Sequence, residues 1–377
     1  MIPYNKPFII GKELEYIRQA VESGKISGDG NFSKLCQSLL EKRFGFGKVL
    51  LTSSCTDALE MSAILLDISE GDEVIMPSFT FVSTANAFIL RGAKIVFADI
   101  RPDTLNIDES KIEALVTPRT KALVIVHYAG VSCNMEKISA ITQKLSIALV
   151  EDAALAIDSY YKGRALGSFG QLSTLSFHET KNIIAGEGGA LIINDPQYFE
   201  RAEIIREKGT NRAKLFRGEV NKYEWVDIGS SYLPSEIIAA FLYAQLENMD
   251  IIIKKRIILW NQYFQKLKPL QDLSVVTLPV LSEGATMNGQ LFYLLCKDEK
   301  ERNSLLEFLN QQKIKAVFHY LPLHLSPFYL NKHDGRLLPV TESTSDRLIR
   351  LPLFFEMKDE EQNYIITKIF DFFKINR

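Results

Sequence analysis

Apolar positions in the first two thirds of the chain alternate between two patterns. Segments 57–66 (with Ala58, Met61 and Leu65 on one face), 83–90 and 135–144 place apolar residues three or four apart. That spacing predicts helices. Between them lie short continuous apolar runs: 73–76, stopped by Pro77, then 94–99, 122–127, 147–150, 172–177 and 190–193. Such runs predict strands buried on both faces. Alternating strands and helices predict an α/β fold with a mostly parallel sheet covered by helices. Ligands in that architecture bind at the carboxyl ends of the strands.

The texture changes after about residue 250. Segment 251–264 reads as a long helix whose apolar run is broken by Lys254, Lys255 and Arg256. Segments 290–295 and 316–320 read as strands, and 299–312 and 359–373 as helices. The pattern predicts a large domain over 1–250 and a smaller α+β domain over 251–377.

Composition narrows the class. At 377 residues the chain suits one large domain plus a smaller one. Its net charge of −2 gives no broad electrostatic footprint for nucleic acid or an anionic membrane. No apolar run is long enough for a membrane span, and the N-terminus shows no signal peptide. Cys36, Cys55, Cys133 and Cys296 are scattered without a CxxC pair, which argues against a disulfide framework or a zinc site. A reducing cytoplasm and no metal are the expectation.

The candidate chemistry gathers at the expected strand ends. The run 147–150 ends in Glu151-Asp152, and Lys181 follows the next strand in Leu175-Ser176-Phe177-His178-Glu179-Thr180-Lys181-Asn182. A pyridoxal phosphate site needs such a pair. The lysine forms a Schiff base with the aldehyde, and the aspartate keeps the pyridine nitrogen protonated. Thr52-Ser53-Ser54-Cys55-Thr56 opens a helix, where free N–H groups and the dipole attract an anion such as the cofactor's phosphate. The plainer reading is an N-cap by Ser54 or Thr56. In Pro77-Ser78-Phe79-Thr80-Phe81, Phe81 is the first choice to stack on the ring and Phe79 the second; the alternative is core packing. Ser176 is a phosphate donor candidate. His178, and the cluster His319, Tyr320 and His324, are substrate candidates or structural groups. Arg206, Lys208, Arg212 and Arg217 would suit a nucleotide diphosphate or be solvated charges. GxGxxG and GxxxxGK[ST] are missing, which disfavours dinucleotide and NTP sites.

These segments, with Gly71-Asp72-Glu73-Val74-Ile75-Met76-Pro77, Asp152-Ala153-Ala154 and Gly186-Glu187-Gly188-Gly189-Ala190, resemble the DegT/DnrJ/EryC1/StrS sugar aminotransferases over essentially the whole chain. The resemblance implies an aspartate-aminotransferase-like fold type I, with a mostly parallel sheet of seven strands in the large domain. It implies Lys181 as Schiff-base and proton-transfer lysine, Asp152 on the ring nitrogen and Phe81 on the ring face. Cys55, Thr56 and Ser176 would hold the phosphate. Ser231 stands where relatives carry an asparagine that reaches the neighbouring subunit's phosphate, so a homodimer with shared sites is implied. Val126-His127-Tyr128-Ala129-Gly130, Glu207-Lys208-Gly209-Thr210-Asn211-Arg212 and Asp227-Ile228-Gly229-Ser230-Ser231-Tyr232 are similar to the subgroup that makes dTDP-4-amino-4,6-dideoxygalactose for surface polysaccharide. That implies L-glutamate as donor and a dTDP-linked 4-keto-6-deoxyhexose as acceptor. A 3-keto sugar or a non-catalytic cofactor-binding regulator are the alternatives. Leu155 departs from the Gln or His usual after Asp-Ala-Ala. Retention of Lys181 argues against the related dehydratases, which carry histidine there.

Overall fold

The computed structural model describes residues 1–375, so the last two residues of the expected 251–377 domain lie outside the described residues. Seven strands form the main sheet: β1 (Lys48–Thr52), β2 (Glu73–Pro77), β3 (Lys94–Ala98), β4 (Thr120–Val126), β5 (Ala148–Asp152), β8 (Leu172–Ser176) and β9 (Gly189–Ile193). The pairs β6 (Tyr160–Tyr161) with β7 (Arg164–Ala165), and β10 (Phe292–Leu295) with β11 (Leu348–Leu351), make two small antiparallel two-stranded sheets. The main order is β1-β9-β8-β5-β4-β2-β3. Only β9 runs against the others, because it returns directly from β8 through the loop that carries Lys181. The carboxyl ends of the other six strands therefore share one edge with the start of β9.

Side-chain alternation assigns the two faces. Leu50, Val74, Met76, Ala122, Val124, Val150, Leu172 and Leu191 pack in one apolar cluster with the helices Cys55–Leu65 and Val82–Ile89. Continuing each strand by two residues puts Thr52, Asp152, Thr174 and Ser176 on that same face, at the edge. Leu51, Ile75, Leu123, Ile125, Leu149, Leu175 and Ile192 face the other way, against the helices Asn31–Phe44, Met135–Leu145 and Glu236–Glu247.

A third cluster gathers residues of the helices Met249–Asp272, Glu299–Gln311 and Asp359–Phe373 around β10 and β11. The helix Met249–Asp272 contributes Ile252 and Ile253 to the sheet's cluster, and Leu259 through Leu270 to this one. Segment 316–320, expected as a strand, forms only one bridge, Val317 to Arg350. The Arg350 guanidinium takes the Phe318 carbonyl that a further ladder bond would use. Pro322 also lacks the N–H to extend a ladder. Among the described residues no helix is long and apolar enough to cross a membrane.

Candidate active site

Strand register builds the site. Thr52 pairs with Gly189, and Gly189 pairs with Ser176, so these three lie level at the sheet edge. The helix Cys55–Leu65 starts just past Thr52, and Ser54 caps it by accepting from Asp57 N (3.1 Å). The N–H groups of Cys55 and Thr56 sit in the open first turn, where no intrahelical acceptor exists. Residue 189 has to be glycine here, since an added Cβ would fall 2.4 Å from Cys55 N. The sheet and helix start thus meet backbone to backbone.

Asp152 is buried at the end of β5. Thr84 Oγ1 donates to its Oδ2 (2.7 Å) and Ala154 N to its Oδ1 (3.2 Å). Thr84 in turn lies 2.9 Å from the Thr80 hydroxyl. Burial raises the Asp152 pKa above the ordinary carboxylate value, and Thr84, Ala154, Lys181 and His127 oppose that rise. Lys181 sits in the turn between β8 and β9, half-buried, its N–H bonded to His178 O (2.9 Å). Burial lowers its pKa from the ordinary 10.5; Cys55 and Asp152 oppose, and Arg350 adds to the lowering. The amine is therefore more readily deprotonated than a surface lysine's. The next residue anchors the turn: Asn182 N donates to Gln290 Oε1 (3.1 Å) and Asn182 Nδ2 donates to Asn288 O (2.8 Å). Desolvation pushes the Cys55 thiol up to about 12, so it stays a neutral thiol beside this pair.

Aromatic groups line one side. Phe81, 57% exposed at the start of the helix Val82–Ile89, has a free ring face, and its centroid lies 6.5 Å from Tyr320. Phe79 is enclosed, 5.1 Å from Tyr128, so only Phe81 can present its face to a ligand. His319 stacks on Tyr320 at 3.7 Å, and its Nδ1 is 2.7 Å from Tyr128 Oη. Burial holds the His319 pKa well below its ordinary value, which leaves the imidazole neutral. Leu155, where a polar residue is usual, is buried among Phe79, Tyr128 and Leu291.

Other expected residues lie apart. His324 is 1% exposed; its Nδ1 is 2.7 Å from Ser78 Oγ and its Nε2 is 3.3 Å from Glu342. These contacts fasten segment 322–325 to the end of β2 and leave His324 nothing to offer a substrate. His178 stays within its own loop, with Nδ1 2.9 Å from Thr180 Oγ1. Ser176 Oγ accepts weakly from His178 N (3.4 Å) and is otherwise available. Ser231 is exposed and bridges Glu207 through its backbone, outside the Lys181 cluster. It lines a cavity of about 820 Å³ with Arg206, Arg212 and Arg217. Arg206 pairs with Asp29, Arg212 with Glu207 and Arg217 with Glu203, so the cavity's arginines are already neutralised and its volume does not mark the chemistry.

Sequence reasoning missed Thr84, Tyr128 and the pair His127–Glu151. Thr80 and Thr84 flank the start of the helix Val82–Ile89, but that Thr84 meets Asp152 depends on the order of strands in the sheet. His127 Nε2 lies 2.9 Å from Glu151 Oε2, and Glu151 also accepts from the N–H groups of Gly167, Phe169 and Gly170. Nothing local in sequence announces that long-range pairing.

The edge fits pyridoxal phosphate. Thr174 Oγ1 is buried without a hydrogen-bond partner, the Cys55 and Thr56 amides await an anion, and Lys181 makes no ion pair among the described residues. The sequence pattern of the DegT/DnrJ/EryC1/StrS aminotransferase family matches residues 7–370. Among solved structures, the aminotransferase TlmJ from Streptoalloteichus hindustanus superposes with a TM-score of 0.91 at 29% identity, over 99% of both chains. Helicobacter pylori PseC, an aminotransferase involved in the biosynthesis of pseudoaminic acid, gives 0.90 at 27% identity over 99% of both chains. The sugar aminotransferase Spr1654 from Streptococcus pneumoniae, in its pyridoxal phosphate form, gives 0.90 at 25% identity over 100% of both chains. With the seven-stranded sheet, these matches establish the fold type I architecture. This chain belongs to the DegT/DnrJ/EryC1/StrS aminotransferase family and is a pyridoxal-phosphate-dependent transaminase.

Proposed function

We propose that this transaminase moves an amino group from L-glutamate to a dTDP-linked 4-keto-6-deoxyhexose, giving a 4-amino-4,6-dideoxyhexose for surface polysaccharide in the cytoplasm. The observation that supports it most is the convergence of Lys181, Asp152 and the Cys55–Leu65 helix start on one sheet edge. The similarity of 126–130, 207–212 and 227–232 to the dTDP-4-amino-4,6-dideoxygalactose subgroup supports the acceptor.

In this reading Ser54, Cys55, Thr56 and Ser176 seat the phosphate, Phe81 covers the ring face and Ser231 of a second copy completes the cradle. A large unit over 1–250 and a smaller one over 251–377 belong to the same proposal. The shift of the Met249–Asp272 helix from one apolar cluster to the other supports that division. Bound there, pyridoxal phosphate supplies an electrophilic carbonyl carbon and a ring that spreads charge from the substrate carbon. Asp152, held by Thr84, fixes the ring nitrogen's proton by charge. Lys181 Nζ takes the proton from the donor's Cα and later gives one to the sugar's C4. Its lowered pKa favours the free amine needed for the first step. Neutral His319 and Tyr320 wall the substrate side.

The test separates the two halves. Protein loaded with cofactor and given L-glutamate should change its visible absorbance and release 2-oxoglutarate. Added dTDP-4-keto-6-deoxyglucose should reverse the change and yield one aminated nucleotide sugar, whose ring position NMR reads. Reaction with glutamate but not with this sugar would leave the transaminase intact and the acceptor wrong.

A further inference from the structure

One side chain from far along the sequence holds the backbone on both sides of Lys181. Gln290 Nε2 donates to Thr180 O and Gln290 Oε1 accepts from Asn182 N, each at 3.1 Å. The first group belongs to the peptide before Lys181 and the second to the peptide after it. A single carboxamide therefore ties both peptides that set the φ and ψ of Lys181. Its orientation is forced, since a peptide N–H can only donate and a carbonyl can only accept. Gln290 and Asn182 are both buried, so neither bond competes with bulk solvent.

The clamp is itself held on all sides. Gln290 N donates to Asn288 Oδ1 (3.0 Å), and Asn288 O accepts from Asn182 Nδ2 (2.8 Å). Asn288 Nδ2 donates to the carbonyls of Leu155 (2.9 Å) and Ile157 (2.8 Å), in the segment that leaves Asp152. Segment 288–290 thus grips the Lys181 turn and the chain beyond Asp152 at once. Behind it, Arg256 of the helix Met249–Asp272 donates to the carbonyls of Gly289 (3.1 Å), Gln290 (2.9 Å) and Leu353 (3.3 Å). Helix and segment meet backbone to backbone: a Cβ on Gly289 would fall 2.7 Å from Arg256 C. Asn5 adds a bond to the same turn, from Nδ2 to Glu179 O (3.1 Å). A lysine that bonds one carbon and carries a proton to another needs a fixed base, because a displacement of about 1 Å costs on the order of 100-fold in rate.

We propose that Gln290 is a positioning residue for the reacting amine: its carboxamide fixes the backbone of Lys181, and segment 288–290 keeps that turn in register with Asp152. The inference rests on Lys181 as the amine of the function proposed above, and not on the identity of the donor or the acceptor.

Gln290→Met keeps the length of the side chain and removes both hydrogen bonds. Gln290→His restores one donor and one acceptor on a ring. The first reading needs no cofactor. Burial holds the Lys181 pKa below 10.5, against Cys55 and Asp152 and with Arg350. A turn that swings free exposes the amine, so this pKa should rise towards 10.5 in Gln290→Met and fall back in Gln290→His. Acetic anhydride labelling across pH, read at Lys181 by mass spectrometry, measures it. The second reading is on the cofactor-loaded enzyme. Gln290→Met should slow both half-reactions by roughly 10- to 100-fold and change KM for donor and acceptor less than about threefold. Gln290→His should recover most of that loss. If Gln290→Met does not fold, Gln290→Asn takes its place with the same expected signs, because its carboxamide stops one methylene short of the turn. A wild-type lysine pKa with wild-type rates in the folded variant overturns the clamp. So does a loss that Gln290→His leaves unrepaired, since packing alone would then explain it. Turnover by Lys181→Ala would remove the role of Lys181 itself, and the clamp with it.

Discussion

Asp152 works against the stability of the cofactor-free protein, because burial raises its pKa. A raised folded-state pKa stabilises the fold fully below the unfolded value of 3.8, and that contribution is lost as pH rises through the folded value. Above that range the buried carboxyl is therefore a net burden on the cofactor-free fold, and a cationic ring beside it would relieve that burden. Asp152→Asn should melt higher than wild type without cofactor at pH 7, and the gap should close below pH 3.8. With cofactor, the same variant should lose about 100- to 1000-fold in kcat, since it no longer stabilises ring charge. Melting curves across pH, run beside turnover, check both signs. Thr84→Val removes one donor to Asp152 at nearly constant volume. It should lower kcat by roughly 10- to 100-fold, and Thr84→Ser should restore most of it. Lys181 and Asp152 were legible in sequence because each ends or follows an apolar run. Thr84 was not, because its role depends on a helix from one strand connection facing the end of a strand two places away in the sheet.

At the scale of elements, the period of apolar residues placed the strands, and their register did the rest. Segments 122–127, 147–150 and 172–177 sit within a residue or two of β4, β5 and β8. The expectation failed for 316–320, where a side chain from β11 captures the carbonyl that would continue the ladder. Propensity reads the segment itself and cannot see that competitor. Strand β1 and the helices Glu13–Glu22, Asn31–Phe44 and Glu236–Glu247 were not anticipated. The helix Asn31–Phe44 lacks an N-cap side chain of its own; Glu236 supplies the acceptor, taking the N–H groups of Gly30, Phe32 and Ser33. A cap drawn from 200 residues away leaves no local signature. The contact between β9 and the helix Cys55–Leu65 gives the element-scale prediction. Gly189→Ala puts a methyl against Cys55 N, so the helix start must retreat from the sheet edge. That variant should lose about 1–3 kcal/mol in stability and release its cofactor more readily. Denaturant melts with and without pyridoxal phosphate measure the two effects. Equal losses in both would show that the helix start does not seat the phosphate.

The whole molecule presents an apolar surface that one copy leaves uncovered. Phe216, Trp225, Val226 and Ile228 are all exposed between the helix Arg212–Phe216 and Ser231. Trp225 alone is 81% exposed, which is unusual for so large an apolar side chain away from an interface. Ser231 lies at the end of that segment and outside the Lys181 cluster of its own chain, as expected if it serves a second copy. The resulting prediction needs two inactive variants. Lys181→Ala removes the reacting amine, and Ser231→Trp blocks the phosphate seat from the partner's side without disturbing a buried position. In the proposed homodimer, each variant alone has two defective sites. A mixed dimer combines an intact Lys181 from one chain with an intact Ser231 from the other, and so regains one working site. Mixing the two proteins under exchange conditions should restore about a quarter of the wild-type activity, because half the dimers are mixed and each carries one site. If the mixture stays inactive although sedimentation shows that the subunits have exchanged, each site is built within one chain and Ser231 plays no part across the interface.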